Sequence, residues 1–320
     1  MSTDSSSDTK SLFDVFKRDN IINSTSQITN YYRNMSNNSS LYIGLFIVIV
    51  VTVIIAILLY TFIGWQLFSK KEQTIDETKV PVVGNKSSKF TAEIAETANG
   101  SRRSFSFWIY INDMNKYIGQ YKNVLALSSN GNEFNPNTSG PYVFLDKTNN
   151  SMYITFTPKK GGSTDSCKIM NKDKIKEYMK YGIYIKYIPL QRWVNVVIVC
   201  NSDSFKSTIY AYIDGDLVSN ITHGQLGHDI GFGLDETNKS LKSDINDINL
   251  NISGYLYVGA DNNSKCGPGF SGLISNFKSY NYELNNKDIY NIYNKGPING
   301  LLAALGLASY GIRSPIYKKI

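Results

Sequence analysis

Hydrophobic and polar positions follow two different regimes along this chain. From Leu41 to Leu67 the sequence LYIGLFIVIVVTVIIAILLYTFIGWQL has no charged side chain, and the uncharged window extends from Asn34 to Ser69. A bilayer core of roughly 30 Å takes about 20 apolar residues in a helix, because only a helix satisfies its backbone polar groups internally there. The segment 41–67 exceeds that length, and Tyr42 to Phe62 spans it with room for tilt. Gly44 lies inside the stretch, while Tyr42, Tyr60 and Trp65 stand near its ends, where amphipathic rings favour the headgroup level. A signal peptide would start near residue 1, whereas here a polar segment, 1–40, comes first. The pattern predicts a single-pass membrane protein with a lipid bilayer as its first partner.

The flanks of this span are polar. Residues 1–40 open with MSTDSSSDTK, too poor in apolar side chains to fold alone. Within them SLFDVFKRDNII fits either a short amphipathic helix on a membrane or partner, or a nascent helix in a polar tail. Residues 68–89, with Pro81 and Gly84, read as a linker.

From 90 to 296 the period shortens to that of strands separated by Gly, Asn, Asp and Pro turns, which predicts an all-β antiparallel sandwich. The clearest runs are Ser104–Ile111, Asn123–Leu127, Tyr142–Leu145, Met152–Phe156, Trp193–Cys200, Ser207–Ile213, Gly254–Val258 and Gly272–Tyr280. Asp214-Gly215 marks a tight hairpin, since a primed turn needs positive φ values. Alternation puts Phe105, Phe107, Ile109 and Ile111 on one side, with Val194, Val196, Ile198, Cys200, Ile209, Ala211 and Ile213 on matching sides of their strands. These are the expected core. Trp108, Tyr110, Tyr210 and Tyr212 fall on the opposite faces, and Tyr255 and Tyr257 share a face that the pattern does not assign. Lys168–Tyr181 is helix-compatible, His223–Asn251 is a long polar loop, and Asn285–Asn294 is a short helix stopped at Gly296-Pro297. The tail, 297–320, is apolar and then basic. Its run Gly300–Ile312 is too short to span a bilayer and suits a membrane interface or a partner better than packing against the sandwich.

Composition narrows the function classes. A net charge of +7 over 320 residues, with lysines scattered among Asn and Tyr, lacks the clustered basic stripe of a nucleic-acid reader. Three cysteines (Cys167, Cys200 and Cys266) allow at most one bridge, which leans toward a reducing compartment. His223 and His228 have no metal-site spacing.

The order FSFWIYI, IPLQRWVNVVIV, STIYAYIDGDLV, GYLYVGA and FSGLISNFKSYNYELNNKDIYNIYNKG resembles the concanavalin A-like lectin/glucanase superfamily, in its laminin-G-like and pentraxin-like branch. That family opens the strand before a Y-x-D-G hairpin with a Trp, here Trp193 and Tyr212 to Gly215. A later F-x-G-x-I-x-x-F pattern is matched by Phe270, Gly272, Ile274 and Phe277. The resemblance, over about Phe90 to Gly296, implies a jelly roll of two antiparallel sheets, a fold that hosts lectins, glycosidases and adhesion modules alike. The glucanase members carry an E-x-D-x-E strand with paired carboxylates. No such run occurs here, so the expected protein is not an enzyme. Pentraxin-like calcium binding would fall on Asp261 and Asn263, oxygen donors followed by the disfavouring Lys265. No other cofactor is expected. The aromatic set Trp108, Tyr110, Tyr210, Tyr212, Tyr255 and Tyr257 is a candidate platform for a glycan or a protein partner, unless loops cover it.

Lys70, Lys71 and Lys79 follow the span, against Arg33 and Arg18 before it, and this charge bias predicts a cytosol-facing sandwich. Sequons at Asn85, Asn99, Asn137 and Asn220 point the other way, although similar ones at Asn23, Asn34 and Asn37 precede the span. The whole resembles structural membrane proteins of large DNA viruses. That resemblance implies a tether between a virion's inner membrane and capsid or other structural proteins. The alternative is a surface lectin.

Overall fold

The structure, a computed structural model, describes residues 8–61, 71–97, 101–131, 135–159, 172–202, 206–226, 241–261 and 266–298. The chain divides into two compact units, Met1–Ser69 and Lys70–Ile320.

The described part of the first unit is dominated by one continuous helix, α1 (Asp8–Leu59). The short helix expected near Leu12 is therefore the start of a longer one. Residues Tyr42–Leu59 have a mean hydropathy of 3.2 and none of them is buried. This helix is long and apolar enough to cross a membrane. The Thr52 hydroxyl donates to the Val48 carbonyl at 2.7 Å, so the helix satisfies its own interior hydroxyl. Phe62 and Trp65 lie outside the described residues.

The second unit is an all-β sandwich of two antiparallel sheets, and each of the eight runs read from the sequence falls on a strand. One sheet runs β1 (Glu72–Thr74), β13 (Ser271–Tyr280), β4 (Arg102–Asp113), β9 (Trp193–Asn201), β10 (Thr208–Ile213) and β11 (Asp216–Thr222), with β2 (Val82–Val83) also paired to β13. The other runs β3 (Ser87–Ala92), β12 (Gly254–Gly259), β5 (Lys122–Ser128), β6 (Ser139–Leu145), β7 (Met152–Thr155) and β8 (Gly182–Ile185). Phe105 meets Phe156 across the interior and Phe277 of the neighbouring β13, each at 6.3 Å between ring centroids. That contact marks the Ile154/Phe156 side of β7 as inward-facing, so Tyr153 and its cross-strand partner Phe144 lie on the outer side of the second sheet. Phe107, Ile109, Val196, Ile198, Cys200 and Ala211 are all buried in the inter-sheet core, as the alternation predicts.

Residues 71–89, expected as a linker, instead supply β1, β2 and the start of β3. The reason is local. Thr78 is fully buried, accepts a hydrogen bond from the Phe277 N–H at 2.9 Å and donates to the Ile75 carbonyl at 2.7 Å. A polar segment with few apolar residues is thus held by backbone pairing to β13, which a hydrophobic pattern does not reveal. The Ser275 hydroxyl lies within 3.3 Å of the Thr78 carbonyl and 2.6 Å of the Pro297 carbonyl. The incoming and outgoing ends of the sandwich therefore converge on one bulge of β13.

Two short helices complete the unit. Helix α2 (Lys172–Met179) falls within the helix-compatible run. Helix α3 (Asn286–Lys295) begins at Asn285, whose side chain accepts from the Asp288 N–H at 2.9 Å, and ends at Gly296 with φ 77°. An N-cap Asn and a positive-φ glycine at the other end are the expected boundary chemistry.

Candidate functional site

The outer face of the first sheet carries most of the predicted aromatic set, and α3 divides it into a closed and an open half. Ile289 and Ile292 of α3 pack on Val197, Val199 and Tyr280, sealing the middle of the face. At one end Tyr293 stacks on Trp108 with centroids 6.0 Å apart and planes 17° apart. Trp108 is only 1% exposed and Trp193 is fully buried, with Ile298 closing over them. Trp108 is therefore a packing residue, with no ring face left for a ligand. Tyr110 is half-buried and tilts against Trp193 at 5.7 Å.

Beside the Trp108 stack lies a groove of about 310 Å³ lined by Lys79, Lys278 and Lys295 together with Ser106, Trp108 and Asn276. Its positive charge is largely spent within the protein. Lys79 pairs with Asp76 at 2.7 Å and Lys278 pairs with Glu72.

The open half is at the β10–β11 hairpin. Asp214 (φ 53°) and Gly215 (φ 93°) take the left-handed conformations of a primed two-residue turn. The Asp214 carboxylate accepts from the Asn195 N–H at 2.8 Å and pairs with the Arg192 guanidinium at 2.6 Å. Aspartate thus serves the hairpin twice, by tolerating the turn and by tying it to β9. Leu217 lies directly across from Tyr212, so both side chains share the outer face. Leu217 is 53% exposed and Tyr290, on the solvent side of α3, is 59% exposed. A Cβ built on Gly215 would stand 3.8 Å from the Tyr290 ring, which places that ring at the hairpin tip. Tyr210 and Tyr212 are half-buried, and burial, followed by Tyr210 and Glu283, raises the Tyr212 phenol above its usual pKa. Tyr212 and Leu217 face each other across the hairpin and Tyr290 stands at its tip, an apolar and phenolic patch open to solvent at Leu217 and Tyr290.

Tyr255 and Tyr257 lie on the outer face of the second sheet, remote in topology from the other four. Their face is shared by Lys89, Ala126 and Tyr142 through direct cross-strand register. The Lys89 ammonium sits 4.2 Å from the Tyr255 ring centroid, and the Tyr257 hydroxyl donates to the Asn130 carbonyl at 2.9 Å. Tyr142 is fully buried and donates to Asn123 at 2.7 Å, while Asn123 donates to the carbonyls of Cys266 and Gly267 at 3.2 Å each. These tyrosines hold loops against the sheet.

For calcium, Asp261 is buried and its carboxylate accepts from the Cys266 N–H at 3.3 Å, while Asn263 lies outside the described residues. Among the described residues no group of three or more His, Cys, Asp and Glu side chains clusters in a way that would hold a metal ion. Cys200 is a free buried thiol whose pKa burial pushes well up, an inert setting for that group. Cys266 is disulfide-bonded.

One buried polar centre has no counterpart in the sequence reading. Arg103 is fully buried, donating to the Ser279 hydroxyl at 2.9 Å, to Asn251 at 3.1 Å and to the Ala95 carbonyl. Burial lowers its pKa to about 10, with neighbouring Cys200 acting in the opposite direction. An Arg102-Arg103 pair opening a strand looks solvated in sequence, and only the register Arg103↔Cys200 turns the second inward.

No protein-family model matches the chain, and no curated protein does. Among solved structures, it is similar to the binding domain of botulinum neurotoxin DC in complex with rat synaptotagmin II, with 15% identity and a TM-score of 0.39 over 71% of this chain and 47% of that one. A botulinum neurotoxin type G receptor binding domain is similar at 15% identity and a TM-score of 0.35, over 71% of this chain and 46% of that one. The chain spans less than half the length of either domain. Likeness of this degree assigns no activity.

Proposed function

We propose that this chain is a membrane-anchored, non-enzymatic binding protein that engages a protein partner through the Tyr212–Leu217–Tyr290 patch. The observation that carries the reading is that patch: two tyrosines and an exposed leucine gathered at a hairpin tip, on a chain whose helix α1 carries the charge-free apolar stretch Tyr42–Leu59. Tyrosine combines large contact area with little entropy lost on docking, which suits a protein interface. Burial of Trp108 beneath Tyr293 removes the strongest sugar-stacking surface of the predicted aromatic set, so the glycan-binding alternative has less support than the protein-binding one.

The side of the membrane is argued from two opposed features. The charge count around the span favours the cytosol by a narrow margin, whereas the disulfide at Cys266 belongs to an oxidising compartment. A covalent bond outweighs a difference of one or two lysines, so the sandwich is read as lumenal or extracellular. A capsid meets a membrane on its cytosol-derived face, and the capsid tether is accordingly the second reading.

The test is site-specific photocrosslinking from the full chain in native membranes. A probe at Leu217 gives a discrete protein adduct that disappears in Tyr212→Ala/Tyr290→Ala, while a probe at exposed Val83 gives none. Equal adducts from both positions, or none from Leu217, contradict the assignment.

A further inference from the structure

The described part of the sandwich contains five N-x-S/T sequons, beginning at Asn85, Asn137, Asn149, Asn220 and Asn251, and the fold treats them unequally. A glycan is transferred to the carboxamide nitrogen before folding is complete, so the finished domain must leave that carboxamide in solvent. Asn85 has its carboxamide oxygen buried. The Asn137 oxygen accepts from the Tyr178 hydroxyl at 2.9 Å. The Asn251 oxygen accepts from the Thr97 N–H and from Arg103, each at 3.1 Å, and so forms part of the cage around the buried guanidinium. Asn137 and Asn251 thus already serve the fold, and Asn85 has part of its carboxamide shut away from solvent.

Asn149 and Asn220 stand apart. Asn149 is exposed in the turn after β6, where the Asp146 carboxylate accepts from the N–H groups of Thr148 and Asn149 at 2.9 and 3.1 Å. The turn is therefore fixed through the Asn149 backbone, and its side chain is exposed. Asn220 is exposed on β11, which among the described residues is the edge strand beside β10. Its neighbour Ile221 is fully buried, which locks the register and turns Asn220 outward. Asn220 stands three residues from Leu217, about 10 Å along the strand, so a glycan there borders the hairpin-tip patch without covering it. An independent feature points to the same compartment: Cys266 is disulfide-bonded, and disulfides form where glycans are attached.

We propose that Asn149 and Asn220 are N-glycosylation sites and that the sandwich matures on the lumenal side of the membrane. The inference rests on the membrane-anchored reading above. In the transfer, the carboxamide nitrogen displaces the diphosphate of a lipid-linked oligosaccharide. A nitrogen–carbon bond forms at the first sugar, the sugar–phosphate bond breaks, and the nitrogen gives up one proton. With one span, only one flank of the chain reaches the lumen, so Asn23, Asn34 and Asn37 are excluded by the same topology.

The experiment translates the full chain into microsomes, releases glycans enzymatically in heavy-oxygen water and maps the labelled asparagines in disulfide-bonded product. The expected result is label at Asn149 and Asn220, none at Asn85, Asn137 or Asn251, and loss of both signals in Asn149→Gln/Asn220→Gln. An empty Asn149 or Asn220, or a glycan at any of the other three or on the N-terminal flank, overturns the proposal. Alkaline extraction of the same microsomes separates this outcome from failure of the anchor. A chain that resists extraction without glycans sinks only the glycosylation proposal, and a chain that is extracted sinks the anchored reading itself.

Discussion

Tyr293 of α3 lies flat on Trp108 of β4, 6.0 Å between centroids and 17° between planes. This one contact converts the most attractive residue of the predicted binding platform into the floor of a packed helix. Tyr293→Ala should destabilise the sandwich by about 1–2 kcal/mol, from the lost aromatic pair and buried area. It should also red-shift tryptophan emission as Trp108 gains water. Denaturant unfolding followed by fluorescence checks both, and an unchanged spectrum would mean that α3 does not cover the indole.

The hairpin that presents Tyr212 and Leu217 depends on Asp214. Asp214→Ala removes the acceptor for the Asn195 N–H and the partner of Arg192, leaving a mostly buried guanidinium unpaired. The expected cost is about 1–3 kcal/mol. Asp214→Asn keeps a residue that tolerates positive φ and can still accept from Asn195, so its cost should be about 1 kcal/mol or less. Thermal melting of the two variants ranks them, and equal losses would assign the whole effect to the ion pair.

Removal of the bridge at Cys266 should cost about 2–4 kcal/mol. The loss should propagate to the second sheet, because the Cys266 carbonyl holds Asn123, which in turn holds the Tyr142 hydroxyl. Hydrogen exchange in Cys266→Ser should rise along β5 and β6 before it rises in β9 and β10. Uniform protection across both sheets would count against that coupling.

Alkaline pH should unfold the sandwich. Burial, aided by Asp146, pushes the Tyr121 phenol up to about 12 from 10.0, and burial, aided by Glu177, does the same to Tyr178. Tyr142, Tyr153 and Tyr280 shift in the same direction, each first through burial. These phenols stay protonated in the folded state while the unfolded chain ionises near 10, so the stability they contribute is complete below pH 10 and falls as pH rises toward 12. Arg103 acts in the opposite sense between about 10 and 12.5, because there the unfolded chain binds the proton more tightly, but it is a single group against several. Melting temperature measured from pH 8 to 11 should fall steeply above 10, and Tyr178→Phe should soften that fall.

Much of this architecture is written in the period-2 pattern. The inward sets around Phe105, Val196 and Ile209 and the Asp214-Gly215 turn are legible because burial and backbone chirality constrain them one position at a time. What α3 covers is not legible. NNKDIYNIYN identifies a helix and its caps, but nothing in it says that Tyr293 lands on Trp108. The strands within 71–89 are hidden for another reason, since Thr78 and its neighbours dock by hydrogen bonds without an apolar signature. The hairpin-tip patch was half visible: Tyr212 stands out in the sequence, whereas Leu217 and Tyr290 join it only through register and the placement of α3.

Topology is the measurement closest to the centre of this account. Full-length chain in microsomes is treated with protease from outside and with endoglycosidase after lysis. The account predicts a protected sandwich whose mass falls on deglycosylation in the wild type and not in Asn149→Gln/Asn220→Gln. A sandwich digested from outside and carrying no glycan would contradict it and return the chain to a cytosol-facing tether, with a capsid or other structural protein as its partner.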